Sequence, residues 1–480
     1  MASLLHSSSL WWLMVVVAAT SLLVGSAAPA AGGFRLELRH VDSKGNFTKS
    51  QLVQRAAHRS RVRAAVLSGG STTVVSTSAA SANSWDVRPN VHWSHSEYVV
   101  ELQIGTPPVP FVAAVETSSD LIWTQSRPCT RCAYQPTPVY DPRTSRSFVP
   151  EPCSSAMCRA PLPRFNQLDY SCSSSSNNTR RPVPQRCQYS YNDTVLGAST
   201  KGVMGRETLT FPGSRPGTSM SISGIAFGCG YYNTGRIFNS TGTLGLGRGP
   251  LSLLSQLGIG KFSYCLTDYF LPRRMSPLLF GSLADLGGAA AVQNTPLFQS
   301  RFDESGTPYY VNLRGISIGP TRLPIPDGVF DFQQSDGSGG AVFDSTLSFT
   351  LLEERAFQEV VTHIAALLDG GITPRPRSYT ANDSSIYYDI DQALICYPLS
   401  NGDELPVMPD MVLHFDENAD MVLHRDNYMI LLKEQSEMCL AMGAAQGISV
   451  IGNFQQQNMH LLFDIIGGYL SFVPADCSKL

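Results

Sequence analysis

The sequence predicts a mainly β protein of two similar lobes, and three observations carry that expectation. Only 15% of the 480 residues are charged, against 43% hydrophobic, with 40 Gly and 31 Pro; such a composition suits short strands and tight turns better than long solvated helices. From Glu97 onward, short alternating or apolar runs are broken by Gly, Pro and Asn, the pattern of successive strands. The third observation is a weak internal repeat. An apolar run leads into an acid and hydroxyl residues at Val115-Glu116-Thr117-Ser118 and again at Phe343-Asp344-Ser345-Thr346. Each is followed by an apolar-Gly signal, Leu244-Gly245-Leu246-Gly247 and then Val450-Ile451-Gly452-Asn453, 129 and 108 residues after the acid. Two lobes that each offer one acid at a strand end are the simplest reading, and the length exceeds one ordinary domain.

Taken in order, residues 1–30 read as a signal peptide. Leu10 to Val24 is apolar for 15 residues and is followed by Gly25, Ser26, Ala27 and Ala28, although no Lys or Arg precedes it. A membrane span needs about 20 apolar residues, so export with cleavage is expected rather than a stable membrane anchor. Residues 31–90 read as a basic prosegment and linker. The stretch 34–67 is basic and amphipathic, and 68–84 is rich in Ser, Thr and Ala. Nine of the 35 Lys/Arg and three of the 38 Asp/Glu fall in residues 1–90, so the remaining 26 and 35 give the body a net charge of -9. A basic arm ahead of an acidic body can dock on it. The whole-chain charge of -3 gives no reason to expect nucleic-acid binding.

Residues 91–295 are expected to form the N-terminal lobe. Strands are predicted at 97–105, 111–115 and 121–125, with the turn Gly105-Thr106-Pro107-Pro108 after the first. The segment 153–187, with four Cys, looks like a disulfide-pinned surface insertion. Residues 296–480 form the second lobe, with strands at 309–319, 341–345, 411–415 and 458–465. The best helix is Glu353–Leu368, whose Phe357, Val360, Val361, Ile364, Leu367 and Leu368 share a face.

Eleven cysteines in an exported chain imply disulfides with at least one thiol left over. Asn46, Asn177, Asn192, Asn239 and Asn382 begin N-x-Ser/Thr glycosylation sites.

Two carboxylates that face each other cannot easily both ionise, so they share a proton and one is a base while the other is an acid. A water between them is deprotonated by one while the other protonates an amide carbonyl, which hydrolyses the amide with no covalent intermediate, metal or cofactor.

At this point the residues match a family. Residues 40–64 resemble the prosegment, and 97–111 the mature amino-terminal strands, of the plant nepenthesin-like aspartic proteases of the pepsin family. Phe227-Gly228-Cys229-Gly230, the runs 244–257, 262–266 and 309–319, and the final segments 451–465 and 470–477 match as well. The resemblance implies a bilobal pepsin-like fold with a central cleft under a hairpin flap, hydrolysis of peptide bonds at acid pH, and a prosegment that covers the cleft. It implies a monomer that takes a peptide or protein substrate and travels the secretory pathway to the apoplast or vacuole. Residue by residue, the motif Asp-Thr-Gly-Ser falls on Glu116, Thr117, Ser118 and Ser119, and Asp-Ser-Gly-Thr on Asp344, Ser345, Thr346 and Leu347. Glu116 and Asp344 are thus the catalytic pair, Thr117 and Ser345 the hydroxyls that lock the two loops, Trp123 the support of the flap and Tyr191 the flap tyrosine.

The chain departs from the pattern at the chemistry. Glu116 replaces Asp, Ser118 and Thr346 replace both turn glycines, Leu347 replaces Thr, Asn192 and Thr194 alter the flap, and Ser126 stands where the family has a cysteine. A longer acid misplaces its carboxylate, and about 1 Å of misplacement can cost on the order of 100-fold in rate. A Cβ at a glycine turn adds strain. The resemblance pairs the cysteine missing at Ser126 with Cys129, Cys132 with Cys229, Cys153 with Cys187, Cys158 with Cys172, Cys265 with Cys477 and Cys396 with Cys439, leaving Cys129 free. The residues alone leave another pairing open, Cys129 with Cys132 and Cys229 free.

Competing motifs are weaker. Gly315-Ile316-Ser317-Ile318-Gly319 fits the G-x-S-x-G string, but Pro320, Pro324 and Pro326 follow where an elbow needs a helix, so it reads as an ordinary strand. Cys129-x-x-Cys132 has no accompanying His pair for zinc. The expectation is an aspartic endopeptidase of impaired activity; the alternative is an inactive pseudoprotease that acts as a binding or inhibitor protein.

Overall fold

A computed structural model describes residues 32–67, 97–135, 137–159, 167–172, 186–193, 198–213, 217–234, 240–288, 291–299, 307–333, 339–368, 375–377, 394–399 and 407–480. The expected signal run, the linker at 68–84, most of the 153–187 insertion, Thr194, and the glycosylation sites Asn177, Asn239 and Asn382 lie outside these, as does the side chain of Asn192. Asn46 is exposed.

The molecule is mainly β. A large sheet runs from one lobe into the other through the antiparallel neighbours Met459–Asp464, Lys261–Cys265, Ser276–Phe280, Phe34–His40, Tyr98–Ile104 and Val109–Glu116. Phe34–His40 sits at its centre, with Leu36 opposite Leu278 and His40 opposite Tyr98. The strand alternates apolar and polar, and Leu36 and Leu38 are buried in the common core beside Phe262, Phe280 and Phe463.

The basic segment continues as a helix, Lys49–Leu67. Its start is a capping box: Thr48 Oγ1 accepts the Gln51 amide at 3.2 Å and Gln51 Oε1 accepts the Thr48 amide at 2.9 Å. Leu52, Val53 and Ala56 are buried against Tyr269, Phe349, Ile430 and Phe454. The second long helix is Glu354–Leu367. Ala356, Phe357, Val360 and Ile364 form its buried stripe, each of the larger side chains worth about 1.5–3 kcal/mol on burial. No helix among the described residues is long and apolar enough to cross a membrane.

Each lobe repeats one local topology. In the first, Val109–Glu116 runs parallel to Gly242–Gly245, which pairs antiparallel with Trp123–Gln125. In the second, Ala341–Phe343 runs parallel to Ser449–Ile451, which pairs antiparallel with Thr350–Glu353. The two apolar-Gly signals are therefore the strands that flank the two acids. Their glycines are required by close approach. A Cβ on Gly245 would collide with the backbone of Ser119 and Asp120, and one on Gly452 with that of Ser348 and Phe349.

The disulfides correct three expected pairings. Cys265–Cys477 and Cys396–Cys439 are formed. Cys153 joins Cys172 and Cys158 joins Cys187, not the reverse. Cys172 and Cys187 face each other on adjacent strands, so depth decides which takes which partner. Buried Cys158 meets buried Cys187, and the outer Cys153 meets exposed Cys172. Cys129 is not free and Cys132 does not reach Cys229. Cys129 and Cys132 bridge each other across a Cα separation of 5.8 Å, and the leftover thiol is Cys229, 1% exposed in the lobe core.

Candidate active site

The two acids stand at the ends of equivalent strands, and hydroxyls join the loops that follow them. The Thr117 hydroxyl donates to Ser345 Oγ at 3.2 Å and accepts the Ser345 amide at 3.0 Å. Ser345 Oγ accepts the Thr117 amide at 3.3 Å and donates to the Val115 carbonyl at 3.4 Å. All these groups are buried, so the lock works in a medium where hydrogen bonds are strong and losing one partner is costly. It joins the two loops at the residues that directly follow Glu116 and Asp344 in the chain.

The two acids are not held alike. Asp344 is fully buried; its Oδ1 accepts the Thr346 amide at 2.7 Å and the Thr346 hydroxyl at 2.5 Å. Leu347, in the motif's fourth place, is buried and has no hydroxyl to give. The residue that replaces the turn glycine thus supplies one a position earlier. Glu116 is half-buried.

The strain expected at the two replaced glycines does not arise from the backbone. Among the described residues the non-glycine positions with left-handed φ are Glu417, Asn418, Ser436 and Asn458. Ser118 and Thr346 adopt conformations open to any L-residue.

Trp123 is 5% exposed and packs with Leu121, Cys187, Tyr189 and Leu251, and Tyr191 lies against the same cluster. Tyr191 belongs to the hairpin of Cys187–Asp193 and Ala198–Pro212, opposite Thr200. Ser119 is buried and its Oγ accepts the Leu121 amide at 3.4 Å.

Sequence reasoning missed several supports. Asp120 is 2% exposed; its Oδ1 accepts the Gly249 amide at 3.0 Å and its Oδ2 the Thr307 hydroxyl at 2.6 Å, which ties the first acid's loop to the start of the second lobe. An acid placed directly before the apolar Leu121-Ile122-Trp123 was the available signal. Asn453 donates to the Ser345 carbonyl at 3.0 Å and Gln456 to the Asp344 carbonyl at 3.4 Å, so these two amides hold the second loop.

The middle of the basic helix also reaches this region, but on other acids. Arg59 is fully buried; it donates to Glu97 at 2.7 Å, to Asp42 at 2.9 Å and to the Tyr269 hydroxyl at 2.9 Å. Arg55 pairs with Asp42 at 2.6 Å, and His40 Nε2 stands 3.2 Å from Glu97 Oε2 without hydrogen-bond alignment. Ser348 Oγ donates to Glu97, and Ser60 Oγ accepts the Phe349 amide at 2.8 Å. Through Ser60 the helix therefore touches the backbone five residues beyond Asp344. Burial pushes the Asp42 carboxyl up, but Arg59, His40 and Arg55 outweigh it and hold the group below the usual carboxylate range.

Comparison with known proteins shows the family and the fold. Residues 98–282 match the family model described as Xylanase inhibitor N-terminal, and 308–474 match Xylanase inhibitor C-terminal. The chain is similar to aspartic proteinase nepenthesin-1 of Nepenthes gracilis, at 39% identity over 93% of this chain and 90% of that protein. It is 35% identical to nepenthesin-2 of the same plant over the same shares. Among solved structures, basic 7S globulin from soybean superposes with a TM-score of 0.58 at 17% identity, over 80% of this chain and 94% of that one, a likeness of fold alone.

Proposed function

Because this chain belongs to the nepenthesin-like aspartic proteases of plants, within the pepsin family, we propose that its cleft hydrolyses peptide bonds at acid pH, at a rate reduced by its altered dyad. The observation that carries this reading is the intact hydroxyl lock between Thr117 and Ser345, the residues next in the chain to Glu116 and Asp344. Asp344 and Glu116 share one proton; the deprotonated partner draws a proton from water and the other protonates the scissile carbonyl. Water is the nucleophile, so the step needs no metal or cofactor. The extra methylene of Glu116 lowers the rate by moving one carboxylate off the water's position. Tyr191, supported by Trp123, closes the hairpin over a peptide.

In the same reading residues 1–30 direct export to the apoplast or vacuole, and residues 31–90 are a prosegment held on the body of a monomer. Cys129 to Cys132 and the other bridges form in that oxidising compartment.

A second reading, a cleft that binds a protein without cleaving it, is favoured by Glu116 itself and by the inhibitor names of the matching family models. Peptide cleavage between pH 2.5 and 6 separates the two. Turnover that Asp344→Asn abolishes supports the protease; no turnover at any pH, with the chain folded and its arm removed, leaves the binding reading.

A further inference from the structure

The second lobe holds a row of side chains that the dyad does not use. It lies in the four-stranded sheet of Thr321–Arg322, Leu313–Ile318, Met411–Phe415 and Asp420–Leu423. Ser317 Oγ is 2.7 Å from His414 Nε2, and His414 Nδ1 is 2.6 Å from Asp420 Oδ1. An ionised carboxylate only accepts, so Nδ1 carries the proton and Nε2 presents its lone pair to the Ser317 hydroxyl. That is the order of a nucleophile, a base and an orienting acid.

The strand register explains why three residues on three strands meet. His414 stands directly opposite Asp420 on one side and Gly315 on the other, with Ser317 diagonal to it. Gly315 sits at a bulge with φ +151 and has no side chain to fill the space above it. The guanidinium of Arg322, which pairs across from Ser317, occupies the volume a Cβ on Gly315 would take and is fixed by a 2.8 Å bond to the Arg314 carbonyl. A cation is thus held beside the serine on the same face. Ser317 is half-buried, and the side chains of His414 and Asp420 are 20% and 49% exposed, so the row is open to a ligand.

We propose that Ser317 is a second nucleophile, activated by His414, positioned by Asp420 and directed at small activated carboxylic esters. The Ser317 hydroxyl proton passes to Nε2 as Oγ bonds to the ester carbonyl carbon, and the resulting oxyanion lies toward Arg322. Collapse breaks the ester C–O bond, and the departing alkoxide takes the proton from His414. Water then repeats the sequence on the acyl-serine and releases the carboxylic acid. No helix follows the serine: a turn leads to Thr321–Arg322, so this is a sheet-borne array rather than a strand-to-helix elbow.

The test treats the full chain with a fluorophosphonate probe and maps the labelled peptide by mass spectrometry. The expected label is on Ser317. His414→Gln should slow labelling at least tenfold and remove the limb of the rate that rises with pH, and Asp420→Asn should slow it and displace that limb. Thermal melts of the variants establish that each is folded. No label on Ser317 in the folded parent, or labelling of Ser317 that His414→Gln leaves unchanged, would overturn the proposal and reduce the row to a cross-strand polar array.

Discussion

The Thr117 hydroxyl accepts the Ser345 amide at 3.0 Å while donating to the Ser345 hydroxyl at 3.2 Å, so one residue from each lobe satisfies the other. Thr117→Val keeps the shape and removes both bonds, leaving the buried Ser345 amide without this acceptor. Such a loss costs about 1–3 kcal/mol. Thermal melting should drop accordingly, and peptide cleavage should fall more steeply than stability because both acids depend on the lock. A variant as active as the parent would show that the lobes are registered by other contacts.

Glu116 and Thr346 depart from the same pattern, yet the structure separates them. Glu116→Asp withdraws the carboxylate by one methylene and should raise cleavage on the order of 100-fold. Thr346→Gly, which restores the family residue, deletes the 2.5 Å hydroxyl bond to Asp344 Oδ1. A hydrogen bond to a charged group contributes about 1.5–3 kcal/mol, so the double variant should be slower than Glu116→Asp alone. Cleavage assays of the two variants decide the order; a faster double variant would mean that Thr346 only crowds the turn.

The sequence carried the architecture because its signals are local or periodic. The acid-hydroxyl strand ends and the apolar-Gly runs became paired strands in both lobes, and the apolar stripe expected over Glu353–Leu368 became the helix Glu354–Leu367. The resemblance pointed to Glu116 and Asp344 because their motifs are contiguous. It could not find Asp120 reaching Thr307, or Arg59 reaching Glu97, since those partners are 187 and 38 residues apart and meet only through the fold. The cysteine pairing failed for a related reason: burial depth, which spacing does not encode, matched Cys158 to Cys187.

The buried cluster around Arg59 makes docking of the helix Lys49–Leu67 depend on acid. Asp42 has a folded-state value below its unfolded one of about 3.9. Its contribution is therefore fully present above about pH 4 and is lost as pH falls through the folded value. Limited proteolysis of the helix against pH should show release at the acid end, with that limb reduced in Asp42→Asn. Arg59→Met leaves two buried carboxylates short of their cation and should destabilise the docked arm by about 3–5 kcal/mol at neutral pH. An arm equally protected in Arg59→Met would place its anchorage in Leu52, Val53 and Ala56 instead.

The unpaired cysteine makes its own prediction. Cys229 lies on Ser219–Thr234, opposite Thr124 in parallel register, and Ser126, the residue just past the end of that neighbouring strand Trp123–Gln125, lies close enough to lower the thiol's pKa. Burial pushes the thiol far up, with the nearby Ser126 only partly offsetting it. In the folded chain Cys229 should therefore resist thiol reagents and react only on unfolding. Ser126→Cys places a second sulfur in the neighbourhood of the first. The variant produced in an oxidising host should show no titratable thiol when denatured, against one in the parent, and peptide mapping should find position 126 disulfide-linked to Cys229. Closing a loop of about 100 residues stabilises by up to about 4.7 kcal/mol on chain-entropy grounds and typically about 2–4 kcal/mol, read as a higher melting temperature. A variant with two free thiols would mean that the two Cβ atoms do not face each other, and the position of Ser126 would then have no bearing on the odd cysteine.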